Sequence, residues 1–236
     1  THEIQKLHER IHDENGLYQA NRLLERIRAM YNKAIEWNWK GSNPAAGIRK
    51  FKEKSRDRFL QPHELPYFFK ALNVEASSTA KDYIMLSLLT GARKSNVLSM
   101  RWDEISFEQA QWRIPETKNG EPVIIALSPQ ALEILKVRRK TNKTGWVFSS
   151  EASKHGYFQD PKKAWQRLLK RAETYQLIEL IAEKEDWDKN TIAKAKREIE
   201  TSLTNSLETY QKKAKVLKLD TSVIGLTDIR IHDLRR

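Results

Sequence analysis

Apolar residues recur every three or four positions along the first part of the chain: Ile4, Leu7 and Ile11, then Leu23, Leu24, Ile27, Met30, Tyr31 and Ala34. This period puts them on one face of a helix, so the pattern predicts helices over 4–15 and 19–37, joined at Asn15-Gly16. Gly41, Asn43 and Pro44 stop the second helix within 38–46. Residues 49–58 then hold six basic side chains against two acidic ones, the composition of a basic linker.

A second unit opens at Leu60-Gln61-Pro62. Helical periods run through 64–72 and 80–89, break at Thr90-Gly91 and resume over 94–100. The period then shortens. Ile105 with Phe107, Trp112 with Ile114, and 123–127 read as short strands, with Lys118-Asn119-Gly120 as the turn between the last two. Ser128-Pro129 supplies an N-cap and a first-turn proline for a helix to about Lys140. Residues 146–148 read as another short strand, and a helix starts near Pro161. From there to Leu219 the chain is almost wholly helical, with a turn at 186–190. An apolar stripe follows through Ile192, Ala195, Ile199, Leu203, Leu207, Tyr210, Ala214 and Leu217. The pattern as a whole predicts a mainly α fold with a small antiparallel β-sheet (α+β). It divides into a helical domain over 1–48, a linker over 49–58 and a larger domain over 59–236.

Composition narrows the function. The chain has no cysteine, which excludes disulfides, thiolate metal sites and a cysteine nucleophile. No apolar run approaches the roughly 20 residues that cross a bilayer, and the first residues lack a signal-peptide pattern, so a cytoplasmic protein without a membrane partner is expected. Lys and Arg total 43 against 31 Asp and Glu, a net charge of +12 and a pI near 9.7, which favours a polyanionic partner. The positive excess is not spread evenly: 172–219 holds nine acidic and nine basic residues, which makes that helical stretch a poor candidate for a nucleic-acid surface.

Three clusters could carry chemistry. His8-Glu9-Arg10-Ile11-His12 matches H-E-x-x-H, in which two histidines one helical turn apart grip zinc and a glutamate activates water. The motif needs a third ligand and a cleft, and here it lies in a charged helix at the start of a basic chain. Two solvent-facing histidines are the favoured reading, with no metal site. In Thr90-Gly91-Ala92-Arg93-Lys94-Ser95-Asn96 an arginine follows a glycine turn between two helices, where its planar fork can take two phosphate oxygens. In Ile231-His232-Asp233-Leu234-Arg235-Arg236, His232 and Arg235 share one helical face and Leu234 turns toward the core. An imidazole beside a guanidinium makes an anion site.

The order of these segments resembles the tyrosine recombinase family, in its phage-type integrase branch. Thr-Gly-Ala-Arg precedes the sheet, Thr117-Lys118-Asn119-Gly120 lies on its hairpin, and His-x-Leu-Arg follows about 140 residues after Arg93. The Asn21-Arg22 helix, the helix stop at 37–44, Arg56-Asp57-Arg58-Phe59-Leu60 and Asp160-Pro161-Lys162-Lys163-Ala164-Trp165 look similar to the same branch.

The resemblance implies a site-specific recombinase that cuts and rejoins duplex DNA through a 3′-phosphotyrosine. Arg93, Arg235 and His232 would hold the scissile phosphate, and Lys118 would protonate the leaving 5′ oxygen. It implies no cofactor, because cationic side chains around the phosphate can replace metal ions. The implied DNA contacts are Lys50, Lys52, Lys54 and Arg56 in the linker and Asn21 and Arg22 on the second helix. A homotetramer on a double-stranded attachment site, with accessory DNA-bending or excision proteins, would be the assembly of such a mobile-element enzyme.

Three departures stand out. Where the family often has an acidic residue three positions after the first arginine, this chain has Asn96. The nucleophilic tyrosine is expected beyond Arg236, since Tyr157, Tyr175 and Tyr210 all precede the His-x-Leu-Arg motif. Without it the chain is expected to be inactive, and a DNA-binding remnant or competitor is the alternative function. Finally, the stretch over about 172–227 is longer than the family's connection and is expected to be an inserted helical hairpin, its stripe buried against itself or a neighbouring subunit.

Overall fold

The computed structural model describes residues 1–116, 120–142, 144–226 and 228–235. It divides into two compact units, Thr1–Asp57 and Arg58–Arg236.

In the first unit α1 (His2–Asn15) and α2 (Leu17–Glu36) form a helical hairpin about Gly16. The turn needs glycine because its φ is 85°, a region costly for residues with a Cβ. Leu24, Ala45 and Ile48 make a small buried core against Ile4 and Ile27. Asn43 closes the chain reversal after α2 by donating to the Arg28 carbonyl at 3.0 Å and accepting from Ala45 N–H at 2.9 Å. The basic segment runs back over α2: Asn21 accepts from Phe51 N–H at 3.0 Å and donates to Phe51 C=O at 2.8 Å, and the Tyr18 hydroxyl donates to the Lys54 carbonyl at 2.8 Å. Phe51 also stacks on His8 and His12, with ring centroids 4.5 and 4.2 Å apart.

The second unit contains α3 (Leu65–Asn73), α4 (Ser78–Thr90) and α5 (Lys94–Leu98), and then the three-stranded antiparallel sheet β1 (Ile105–Ser106), β2 (Gln111–Ile114) and β3 (Val123–Ala126), in that spatial order. Trp112 sits opposite Ile105 on one side and Ile125 on the other. It is fully buried, and its indole N–H donates to Glu104 at 3.1 Å. Ser128 caps α6 (Pro129–Thr141), accepting from Ala131 N–H at 3.2 Å with Pro129 in the first turn, as the sequence predicts. The predicted strand at 146–148 is instead a single bridge between Arg101 and Trp146, after which Val147 and Phe148 turn into the core. Too few residues are extended there to build a ladder.

The long helical region also differs from the expected hairpin. It is three helices, α7 (Lys162–Lys184), α8 (Lys189–Thr201) and α9 (Leu203–Val216). The apolar stripe reads straight through Ser202, but the backbone breaks there, at φ −154° and ψ 81°. Thr201 and Ser206 hydroxyls both turn onto the Glu198 carbonyl, at 2.8 and 3.4 Å. Such side-chain to backbone bonds compete with helix propagation. Both α8 and α9 lie on α7, and Ala195, Ile199, Leu207, Tyr210 and Ala214 join the same core as Phe68, Trp112 and Leu168. The stripe is therefore buried within this chain, in the main core of its unit.

The last described residues, 228–235, end in a short 3-10 helix, Ile231–Arg235. No helix among the described residues is long and apolar enough to cross a membrane.

Candidate active site

Arg93 is held by its backbone from both sides. At the end of α4 the Thr90 hydroxyl donates to the Leu86 carbonyl at 2.6 Å and accepts from Ala92 N–H at 3.3 Å. Gly91 closes the helix in the left-handed region, φ 59°, its N–H on the Ser87 carbonyl at 3.1 Å. On the other side the Arg93 carbonyl accepts from Val97 N–H at 3.1 Å and starts α5. Ala92 turns into the core while Arg93 is half-exposed.

The 3-10 helix carrying the second cluster packs against α4. A Cβ built on Gly91 would lie 3.9 Å from the Arg235 carbonyl oxygen, so the turn before Arg93 and the backbone of Arg235 touch. The sequence places His232 and Arg235 on a helix. The observed 3-10 form aligns them more closely still, since residues three apart eclipse there. Asp233 and Leu234 are buried and His232 and Arg235 exposed. Asp233 fixes the start of the turn by accepting from Arg230 N–H at 2.8 Å.

Three buried braces hold the chain leading into this helix. Gln176 of α7 pairs with Gly225 in both directions, accepting from its N–H at 2.9 Å and donating to its C=O at 3.2 Å. Leu226 N–H donates to Glu64 at 2.7 Å. The Trp165 indole donates to the Ile229 carbonyl at 3.3 Å. Glu64 is only 2% exposed. Its carboxylate also takes Gln61 N–H at 2.8 Å and the Arg58 guanidinium, whose Nε reaches Asp228 at 2.8 Å. Burial alone would raise the Glu64 carboxyl, but Arg58 and the two N–H groups outweigh it and hold it below the usual carboxylate range. Nothing in the sequence marks Gln176 or Glu64 for this task, because each partner lies 49 or more residues away.

The electrostatic contrast defines the site. Arg58, Arg101, Arg138 and Arg167 each hold a carboxylate, on Glu64, Asp103, Asp82 and Glu75. The side chains of Arg93, His232 and Arg235 make no hydrogen bond or ion pair with the described residues. Two guanidinium groups and an imidazole without internal acids, carried on two abutting backbone turns, are suited to an external anion with several oxygens. Asn96 does not hold Arg93; its side-chain oxygen faces Ser95 at 3.4 Å. Lys118 lies outside the described residues. Tyr175 and Tyr210 are buried, and burial pushes the Tyr175 phenol up to about 12.

In the first unit Lys52 and Lys54 are exposed and Arg56 is half-buried. Lys50 and Arg22 both grip Glu25, Arg22 at 2.7 Å, and hold that carboxyl down at about 2. Asn21 departs from its predicted role as a DNA contact. It is completely buried, and its amide is engaged with Phe51, Glu53 and His8. His8 also departs from the solvent-facing reading of the H-E-x-x-H motif: it is 4% exposed, packed on Phe51 and 3.2 Å from Asn21. No cluster of three or more His, Asp or Glu suited to a metal occurs among the described residues.

The chain resembles several known proteins. It is 37% identical over 122 residues to the prophage integrase IntF of Escherichia coli (strain K12), covering 50% of this chain and 26% of that protein. With the integrase of Salmonella phage P22 it shares 31% identity over 156 residues, 59% of this chain and 38% of the relative. The chain thus spans only about a quarter to two-fifths of the curated relatives it matches. In fold it is similar to a lambda integrase tetramer bound to a Holliday junction, with TM-score 0.56 and 17% identity over 72% of this chain and 51% of that one. It is likewise similar to the Tn1549 transposon integrase in complex with a circular intermediate DNA, with TM-score 0.56 and 14% identity over 98% and 78% of the two chains. A profile of the Phage integrase family matches residues 58–186, over half of the chain, and its stretch includes Arg93 and the α4–α5 turn that holds it. This chain belongs to the phage integrase family.

Proposed function

We propose that this chain forms the phosphate-holding part of a site-specific DNA recombinase that cuts and rejoins duplex DNA. The observation that supports the reading is the contact between the Gly91 turn, which precedes Arg93, and the backbone of Arg235, with no acidic partner on the side chain of Arg93, His232 or Arg235 among the described residues. In this reading Arg93 and Arg235 each direct guanidinium N–H groups at the non-bridging oxygens of the scissile phosphate, and His232 donates a further hydrogen bond. A tyrosine hydroxyl, expected from the family resemblance to lie C-terminal to Arg235, gives up its proton to solvent as it attacks phosphorus and forms the 3′-phosphotyrosine bond. The bond from phosphorus to the 5′ oxygen breaks, and Lys118 delivers the proton to that oxygen. Rejoining is the same sequence reversed, with the 5′ hydroxyl as nucleophile. Clamping cations supply the electrostatic stabilisation that this charge-rich transition state requires.

Lys52 and Lys54 supply sequence-independent attraction to the DNA backbone, with Lys50 and Arg22 joining once Glu25 releases them. The partner is a double-stranded attachment site and the working form a homotetramer, an assembly supported by the tetramer seen for lambda integrase. Residues 1–236 alone are proposed to bind DNA without cutting it.

The test is a nicked suicide substrate offered to the protein carrying its tyrosine, with covalent adduct read on a denaturing gel. An adduct whose formation falls by about a hundredfold or more in Arg93→Ala and in Arg235→Ala supports the mechanism. Tight site binding with no adduct favours a DNA-binding module that does not catalyse.

A further inference from the structure

We propose that Gln176 is a positioning residue for the phosphate site, acting through Gly225 on the segment that carries His232 and Arg235. The proposal rests on the function proposed above. Trp165 and Gln176 lie eleven residues apart on α7, close to three whole turns, and so share one face of that helix. Along this face α7 grips the incoming chain at two points, Gln176 on both backbone polar groups of Gly225 and Trp165 on the carbonyl of Ile229. Glu64 fixes the intervening Leu226 from α3's side. From Ile229 the path to the 3-10 helix at 231–235 is two residues long, too short to absorb a displacement upstream.

Gln176 is the one brace among these that fixes both N–H and C=O of its partner, so it sets orientation as well as place. It is buried and its remaining contact is its own helix, the Ala172 carbonyl at 3.1 Å. α7 is in turn held by α8 and α9, which pack along it. The region 172–227 thereby acquires a role: the helices reach out from α7, return to it, and the returning chain is tied at Gln176 just before it enters the site. Misplacing a reacting group by about 1 Å costs on the order of a hundredfold in rate, so a brace one short segment from two phosphate ligands has leverage on the chemistry.

The test uses the protein extended through its tyrosine and a nicked attachment-site duplex at saturating concentration. Gln176→Met keeps the side chain's bulk and removes both bonds to Gly225. It is expected to slow adduct formation by about ten- to a hundredfold while duplex affinity changes by less than about twofold. In an Arg235→Lys background, where the guanidinium fork is already gone and His232 alone remains to be misplaced, the same substitution is expected to slow cleavage by a clearly smaller factor than in the parent, because residues acting through one another are non-additive. Equal slowing in both backgrounds, or none in the first, would overturn the proposal.

Should Gln176→Met fold poorly, Gln176→Glu gives a second reading. Its ionised carboxylate accepts from Gly225 N–H but cannot donate to the C=O, whereas the protonated acid does both, and burial raises the pH at which it protonates. Cleavage by this variant, relative to the parent at each pH, is expected to recover as pH falls from about 8 to about 6. A flat ratio would count against the assignment. A parent protein that forms no adduct at all would instead defeat the recombinase reading itself, and the two failures are separate observations.

Discussion

Gly91 and Arg235 are 144 positions apart in sequence, yet a Cβ on the first would sit 3.9 Å from the carbonyl oxygen of the second. This contact joins the two segments of the proposed phosphate site. The distance is an ordinary van der Waals separation, so glycine is required by its φ of 59° rather than by crowding. Gly91→Ala is expected to cost about 1 kcal/mol, the penalty of a left-handed residue with a Cβ. Thermal unfolding should show a drop of about 2–4 °C, while duplex affinity stays at the parent value.

Steering charge and chemistry should separate. Lys52 and Lys54 are exposed on the segment that runs along α2, whereas Arg93 and Arg235 lie at the pinned turns. Replacing either lysine by alanine should weaken binding to any duplex and reduce the salt slope by about one. Arg93→Ala should lower adduct formation by about a hundred- to a thousandfold with modest loss of affinity. Binding isotherms at several salt concentrations, beside single-turnover cleavage, distinguish the two. Parallel effects from Lys54→Ala and Arg93→Ala would mean that Arg93 is only another backbone contact.

Gly225 is a case of close approach. A Cβ there would fall 2.6 Å from Glu64 Cγ, and Glu64 cannot swing away because Arg58, Gln61 and Leu226 hold its carboxylate. Overpacking of this kind costs about 1–3 kcal/mol. Gly225→Ala is therefore expected to lower the urea midpoint of the second unit more than Gly91→Ala does, and the reverse ranking would show that the Glu64 brace yields easily.

Acid should loosen the same brace. Burial raises the carboxyls of Glu64 and Glu75, but Arg58 in one case and Arg167 in the other, with backbone N–H groups, leave both below their ordinary 4.5. A carboxyl depressed in the folded state contributes stability that is fully present above its unfolded value and lost as pH falls through its folded one. Stability should therefore hold between about pH 7 and pH 5 and decline below about 4.5. Glu64→Gln should flatten part of that decline in a urea titration, and an unchanged slope would remove Glu64 from the account.

The three-helix packing of α7, α8 and α9 makes a prediction of its own. Ile199 is fully buried in the main core, so Ile199→Ala should cost about 2–5 kcal/mol in one cooperative transition of the second unit. A separate early transition would mean that α8 and α9 unfold as an independent hairpin.

Local signals were legible in the chain itself. Helical and strand periods located α1 to α7 and the three strands. Ser128-Pro129 marked the start of α6, and the glycine turn before Arg93 and the His-x-Leu-Arg cluster pointed to the family and to the anion site proposed above. These features depend on neighbours within about one turn of helix or one hairpin, which a linear pattern records directly. What the linear pattern misjudged depended on partners far along the chain. Asn21 reads as a polar residue on a helix facing DNA, but Phe51 claims its amide. His8 reads as exposed until Phe51 covers it. The stripe through 192–217 hides the break at Ser202, because apolar period is blind to hydroxyls that bond the backbone instead. Above all, Glu64 and Gln176 carry no local mark. Their roles arise only when α3 and α7 meet the chain returning at 225–226, since a buried polar group is satisfied by whatever the packed fold brings to it and not by its sequence neighbours.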